Sequence, residues 1–140
     1  MKKLFIFILF SIFISGLFAA PKVPKYDFYE YFNNPDMTEY EYTTKDGNTT
    51  YSIIGYTNMN MNFRYSIDFR KITTKPDYAT RIVILFETEK QLDNFINKFN
   101  SSKIEKEFER IKKILDENNA SIINSSTGSS YSIDGSNIKF

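Results

Sequence analysis

The chain of 140 residues contains no cysteine and no histidine, and it has only five glycines. Without cysteine there are no disulfides and no thiolate chemistry, and no processed N-terminal cysteine can carry a lipoprotein anchor. Without histidine, Ser-His-Asp and Cys-His nucleophilic systems are excluded, as are imidazole acid–base work and histidine metal sites. The glycines are scattered among turn-forming residues, so there is no GxGxxG, no P-loop and no GxSxG. A Ser-Lys pair exists at Ser102-Lys103, but it falls at a helix start, where the hydroxyl has a capping role. No cofactor and no metal site is expected.

Charge of either sign is also in short surplus, with 18 Lys and Arg against 17 Asp and Glu. The chain opens MKKLFIFILFSIFISGLFAAPK: two lysines, an apolar run, then small residues before polar sequence resumes. That layout predicts a secretory signal peptide over residues 1–19, cut after Ala19, with residues 20–140 forming a single exported domain. Cutting after Ala20 would put Pro21 on the leaving side, where its backbone fits an extended protease site poorly. The alternative is an uncleaved Leu4–Ala20 anchor, which is at the short end of what a membrane span needs. Removing Lys2 and Lys3 takes the 18 basic residues to 16 against 17 acidic ones. A near-neutral domain without a basic block gives no electrostatic case for nucleic acid, or for a membrane surface after cleavage. A mature chain of about 120 residues can bury roughly two-thirds of its unfolded surface, enough for a core without disulfides.

Asn, Ile, Lys, Phe and Tyr have codons rich in A and T, so their abundance carries no functional information; only placement does. In MNMNFRYSIDFR, residues 59–70, Met59, Met61, Phe63, Tyr65, Ile67 and Phe69 alternate with Asn60, Asn62, Arg64, Ser66, Asp68 and Arg70. Such alternation predicts a half-buried strand. Asp46-Gly47 between β-rich flanks predicts a type I′ hairpin with Tyr42 opposite Tyr51, Tyr40 opposite Ile53 and Glu41 opposite Ser52. Gly55 is the expected bulge before the next strand. Lys75-Pro76-Asp77 marks a loop, and the nearly continuous apolar run in TRIVILFE (80–87) predicts a strand covered on both faces, either central or overlaid by another segment.

YDFYEYFNNP (26–35) has weak helical spacing, stopped by Asn33, Asn34 and Pro35. Thr88 to Gln91 reads as a capping box leading into the stripe Leu92, Phe95, Ile96, Phe99. Ser102 to Glu105 reads as a second box before Ile104, Phe108, Ile111 and Leu115, with Asn118-Asn119 as the stop. Glu109 and Lys113 are spaced for an i,i+4 ion pair on the solvated face. The Ser/Gly-rich tail predicts short strands.

The predicted fold is α+β: an antiparallel β-meander of about four strands, covered on one face by two helices from the C-terminal half, with a short C-terminal β-hairpin. This is a two-layer sandwich whose second face, including Arg64, Asp68 and Arg70, meets water. Within that frame the expected function is binding, by a non-enzymatic exported domain in the bacterial periplasm or outside the cell. The partner class is protein or glycan, and Arg64, Asp68 and Arg70 form the candidate surface. The enzymatic alternative is a carboxylate-based glycan hydrolase using Glu39 and Glu41, about 7 Å apart on one strand face, within the range of inverting enzymes. The membrane-tethered alternative keeps the Leu4–Ala20 segment. Asp116-Glu117-Asn118-Asn119 lacks the alternating ligands and central glycine of a calcium loop and reads as a helix terminus.

Overall fold

The computed structural model describes residues 22–59 and 64–140. The signal-peptide and anchor readings of the N-terminus lie outside these residues, and so do Asn60, Met61, Asn62 and Phe63. In chain order the elements are β1 (Lys25–Asp27), α1 (Phe28–Asn33), β2 (Tyr40–Thr43), β3 (Thr49–Thr57), β4 (Tyr65–Thr74) and β5 (Asp77–Phe86), then α2 (Glu89–Lys98), a 3-10 turn at Ser101–Lys103, α3 (Ile104–Glu117), β6 (Ser121–Ser125) and β7 (Gly128–Asp134).

The class is α+β, but the sheet is mixed rather than an antiparallel meander. Its seven strands run β1-β3-β4-β5-β7-β6, with β2 also on the β1 edge of β3. The meander β2-β3-β4-β5 is present, with β2 at one edge of the sheet and β3, β4 and β5 inside it. To it are added β1, parallel to β3, and β7, parallel to β5. The C-terminal hairpin is formed by β6 and β7, and it docks through its second strand. That strand supplies Tyr131 and Ile133 to the core, whereas β6 is exposed along its whole length. Alternation within a hairpin does not say which strand joins a sheet, or in which direction.

The expected hairpin register holds: Tyr42 pairs with Tyr51, Tyr40 with Ile53 and Glu41 with Ser52. The turn itself differs. Gly47 N–H donates to the Thr44 carbonyl at 2.8 Å, so Lys45-Asp46 is the centre. Gly47, at φ 74°, alone among the loop residues takes the left-handed conformation. A four-residue loop built this way keeps the register that a type I′ turn would have set. Gly55 is not a bulge: it pairs in step with Ile67. A Cβ there would lie 3.2 Å from Ile96 Cδ1 of α2, so the glycine admits a helix close against the sheet.

β4 begins at Tyr65, not Met59. Asn58 turns the chain at φ 55°, and Met59 N–H donates to the Arg64 carbonyl at 3.0 Å. From Tyr65 on, the alternation holds. Ile67 and Phe69, with Ile53, Ile82, Ile84 and Phe86, face α2 and α3, whose Leu92, Phe95, Phe108, Ile111 and Leu115 complete the core. The centre is an aromatic cluster in which Phe69 meets Phe99 and Phe108 at ring-centroid distances of 5.4 and 4.8 Å. Phe140 packs on Phe86 and Phe95 at the end of the same core.

Both helices lie where their stripes place them. The Thr88–Gln91 capping box forms, and the apolar positions of α3 are buried. The second box does not form. Asn100 caps the 3-10 turn through Ser102 N–H, and Lys103 precedes α3 without a side-chain cap. Glu109 pairs with Lys71 of β4, while Lys113 lies 3.9 Å from Glu117. Among the described residues no helix is long and apolar enough to cross a membrane.

The expectation that the second face meets water holds at Arg64, which is exposed, and fails at Ser66 and Asp68, which are buried. After β1 the chain crosses that face as α1, started by the Asp27 side chain accepting from Tyr29 and Glu30 N–H, and returns to the same edge of β3 as β2. Phe28 and Tyr31 pack edge-on against Tyr56, so part of the outer face acquires a roof. Ile54, Tyr56, Ser66 and Asp68 beneath it are buried. The helix itself agrees with the spacing read over 26–35; its path across the outer face was not legible, because its apolar contacts with Tyr56 are non-local.

Phe69 is fully buried between rings of both long helices. Phe69→Ala is expected to cost about 3–5 kcal/mol. Urea melts measure it, and a loss below about 1 kcal/mol would contradict this placement of the core.

Candidate functional site

The register of the central hairpin creates an electrostatic problem. β4 and β5 pair so that Arg70 lies directly opposite Arg81, both on the outer face. Like charges placed directly across a strand pair repel. Asp68, two residues before Arg70 and diagonal to Arg81, resolves it. Arg70 donates from Nε and Nη2 to Asp68 Oδ1 and Oδ2 at 3.1 and 2.9 Å. Arg81 donates from Nη2 to Oδ2 at 2.7 Å and from Nε to both oxygens at 3.2 Å. One carboxylate therefore receives two guanidinium forks, the strong form of charge-assisted bonding.

The three side chains differ sharply in exposure. That of Asp68 is 3% exposed, whereas Arg70 and Arg81 remain 38% and 51% exposed. The carboxylate is a buried anchor and the guanidiniums are a presented surface. Burial works to raise the Asp68 carboxyl, but the hydrogen bonds from Arg81 and Arg70, and then their charges, outweigh it and hold it below the ordinary value of 3.8.

A second carboxylate flanks the group. Glu39, in the segment returning from α1, accepts from Tyr31 Oη at 3.1 Å and lies 4.0 Å from Arg70 Nη1. Burial, then the Glu39 charge, pushes the Tyr31 phenol up. Burial, followed by the negative charge of Asp68, pushes Tyr56 well above the usual tyrosine value. Both phenols are thus held in their neutral form, and Tyr31 donates to Glu39.

Between the roof and the charged group lies a cavity of about 70 Å³, walled by Phe28, Phe32, Tyr56 and Val83 with Asp68 and the arginines at its base. Small-molecule pockets usually measure about 300–1,000 Å³, so this one suits ordered water rather than a metabolite. A wider recess of about 380 Å³ lies between Tyr40 and Tyr42 of β2 and residues 101–106 at the start of α3, but it is open and brings no pair of acids together.

Of the sequence-predicted residues, Asp68 and Arg70 are brought together, and Asp68 is buried rather than washed by water. Arg64 is apart from them, exposed in the loop before β4. Glu39 and Glu41 do not share surroundings. Glu39 is half-buried against Tyr31 and Arg70, whereas Glu41 is exposed opposite Ser52. Among the described residues, no three Asp or Glu side chains gather in a way that would hold a metal ion.

Sequence reasoning missed Arg81, Tyr31 and Tyr56. A signal for Arg81 was present. A two-residue turn at Lys75-Pro76 sets Thr74 against Asp77, and the same register carries Arg70 to Arg81. No protein-family model matches this chain, no curated protein matches it in sequence, and no solved structure matches its fold.

Removing the Asp68 carboxylate leaves two facing guanidiniums without the anion between them, and only Glu39 beside Arg70 to offset their repulsion. Asp68→Ala is expected to cost about 2–4 kcal/mol, below the loss for a fully buried pair because both arginines reach water. Arg64→Ala should stay within about 0.5 kcal/mol. A carboxyl depressed by folding contributes stability that is complete above its unfolded pKa and lost as pH falls through the folded one. The excess stability of the natural chain over Asp68→Asn should therefore be full at neutral pH and shrink below about pH 4. Urea melts from pH 7 to pH 2.5 measure both effects; an Asp68→Asn gap independent of pH would contradict the pairing.

Proposed function

We propose that the chain is an exported, non-enzymatic binding domain of the bacterial envelope or its surroundings, and that it meets a protein partner with the outer face of its sheet. The observation that carries this reading is the pair of half-exposed guanidiniums clamped on buried Asp68. An arginine already held by a fork of hydrogen bonds loses little rotamer freedom when a partner docks. Phe32, 68% exposed, lines the same cavity as both arginines, and Tyr29 of the same short helix is exposed too. Arginine and aromatic side chains with packed support beneath them are the groups that dominate protein interfaces.

Export rests on the two lysines, apolar run and small-residue exit at the N-terminus. Binding rather than catalysis rests on the chemical inventory, which lacks histidine and cysteine, and on the different environments of Glu39 and Glu41. The small outer-face cavity agrees with recognition at a surface instead of turnover in a pocket.

Two measurements test the reading. N-terminal sequencing of the protein recovered from its native organism should give Ala20 as the first residue; a start at Met1 contradicts cleavage and favours the tethered alternative. A photo-crosslinking side chain at Phe32, in living cells, should yield one discrete protein adduct that disappears with Arg81→Glu. The same probe at Lys90, on the exposed side of α2, should yield none. Equal adducts at both positions, or none at Phe32, would contradict binding through this face.

A further inference from the structure

The two edges of the sheet are built differently. At the β3 edge, two short strands lie end to end and carry Lys25, Asp27 and Glu41; Lys25 also bonds to Glu89 and Asp93 of α2. Short, interrupted and charged edges resist pairing with other chains. The β6 edge is also short, at five residues, but it is uninterrupted and uncharged. Its sequence is Ser-Ile-Ile-Asn-Ser, all five residues are exposed, and no charged residue or proline occurs from Ala120 to Ile133. Ile122 and Ile123 are among the large apolar side chains left open, and Ile123 is 75% exposed.

An open strand of this kind offers a row of unpaired backbone N–H and C=O groups. We infer that β6 is a self-association edge, at which a second copy of this chain adds its own β6 antiparallel about a two-fold axis. Three features suit a second copy as the occupant. An isologous contact requires a surface that tolerates itself, and this edge brings no like charges together. A two-fold axis perpendicular to the sheet keeps inner faces with inner faces, so each residue must meet one of the same parity. With Ile123 on the axis, all five residues find partners: Ile123 meets Ile123, Ile122 meets Asn124, and Ser121 meets Ser125. The exposed Ile123 side chain is then covered by its own symmetry mate, and the two sheets become continuous.

Pairing of five-residue strands alone falls short of the roughly 1,200 Å² of a standard interface, so the association is weak and rises with concentration. The absence of natural cysteine allows a register-specific test on the purified full chain. On the axis, Ile123→Cys places two thiols with Cα atoms about 4.5–5.5 Å apart, within disulfide reach. Ser125→Cys, as exposed, would hold its two thiols about 13 Å apart along the strands, beyond that reach. Copper–phenanthroline oxidation should therefore give a covalent dimer for Ile123→Cys and none for Ser125→Cys. Sedimentation equilibrium should show a mass rising with concentration toward twice the monomer, and Ile123→Lys should abolish the rise while leaving the urea midpoint unchanged. Cross-linking at both positions alike marks random collision and overturns the inference. A monomer at every concentration, or association that survives Ile123→Lys, overturns it as well.

Discussion

The outer face of this protein depends on one carboxylate. Strand pairing sets Arg70 against Arg81, and two guanidiniums in that position repel unless an anion lies between them. Asp68 is that anion, and it is nearly inaccessible to water. Taking a carboxylate out of water is costly, and the two forks of hydrogen bonds offset the cost only because they satisfy both oxygens. The arrangement exchanges solvation of one acid for fixed positions of two bases.

That exchange links fold to function. α1 and the segment leading to β2 supply the low-dielectric surroundings: Phe28 and Tyr31 cover Tyr56, and Glu39 steadies the far side of Arg70. Without this roof Asp68 would be an ordinary surface acid, and a surface pair contributes little to stability. With it, the arginine heads are held in place while both side chains stay partly open to a partner. The aromatic core on the other face, built on Phe69, Phe99 and Phe108, keeps β4 and β5 in the register that brings the charges together.

Local features of this fold were legible in the sequence. The stripes of α2 and α3, the Thr88–Gln91 box, the pairing of Tyr42 with Tyr51 and the burial of Ile67 and Phe69 all follow from spacing over a few residues. What spacing does not carry is which segments meet at long range. β1 has three residues, too few for a pattern, and its parallel partner lies thirty residues on. The docking of β7 on β5 is set by a crossover through two helices, not by anything within the hairpin itself. The polar side of β4 looked solvated because polar alternation records the absence of an apolar neighbour, and a buried ion pair has the same signature. Asp68 and Arg70 were visible as a pair on one strand; Arg81 needed the register of the next, and Tyr31 and Glu39 needed the path of α1 over the sheet.

The most direct measurement is a carbon-13 NMR titration of the Asp68 carboxyl in the folded protein. A clamp of this kind requires a midpoint below 3.8, the ordinary aspartate value, because the guanidinium bonds must overcome burial. A midpoint at or above that value would mean that burial prevails and that the two arginines are not clamped by this residue.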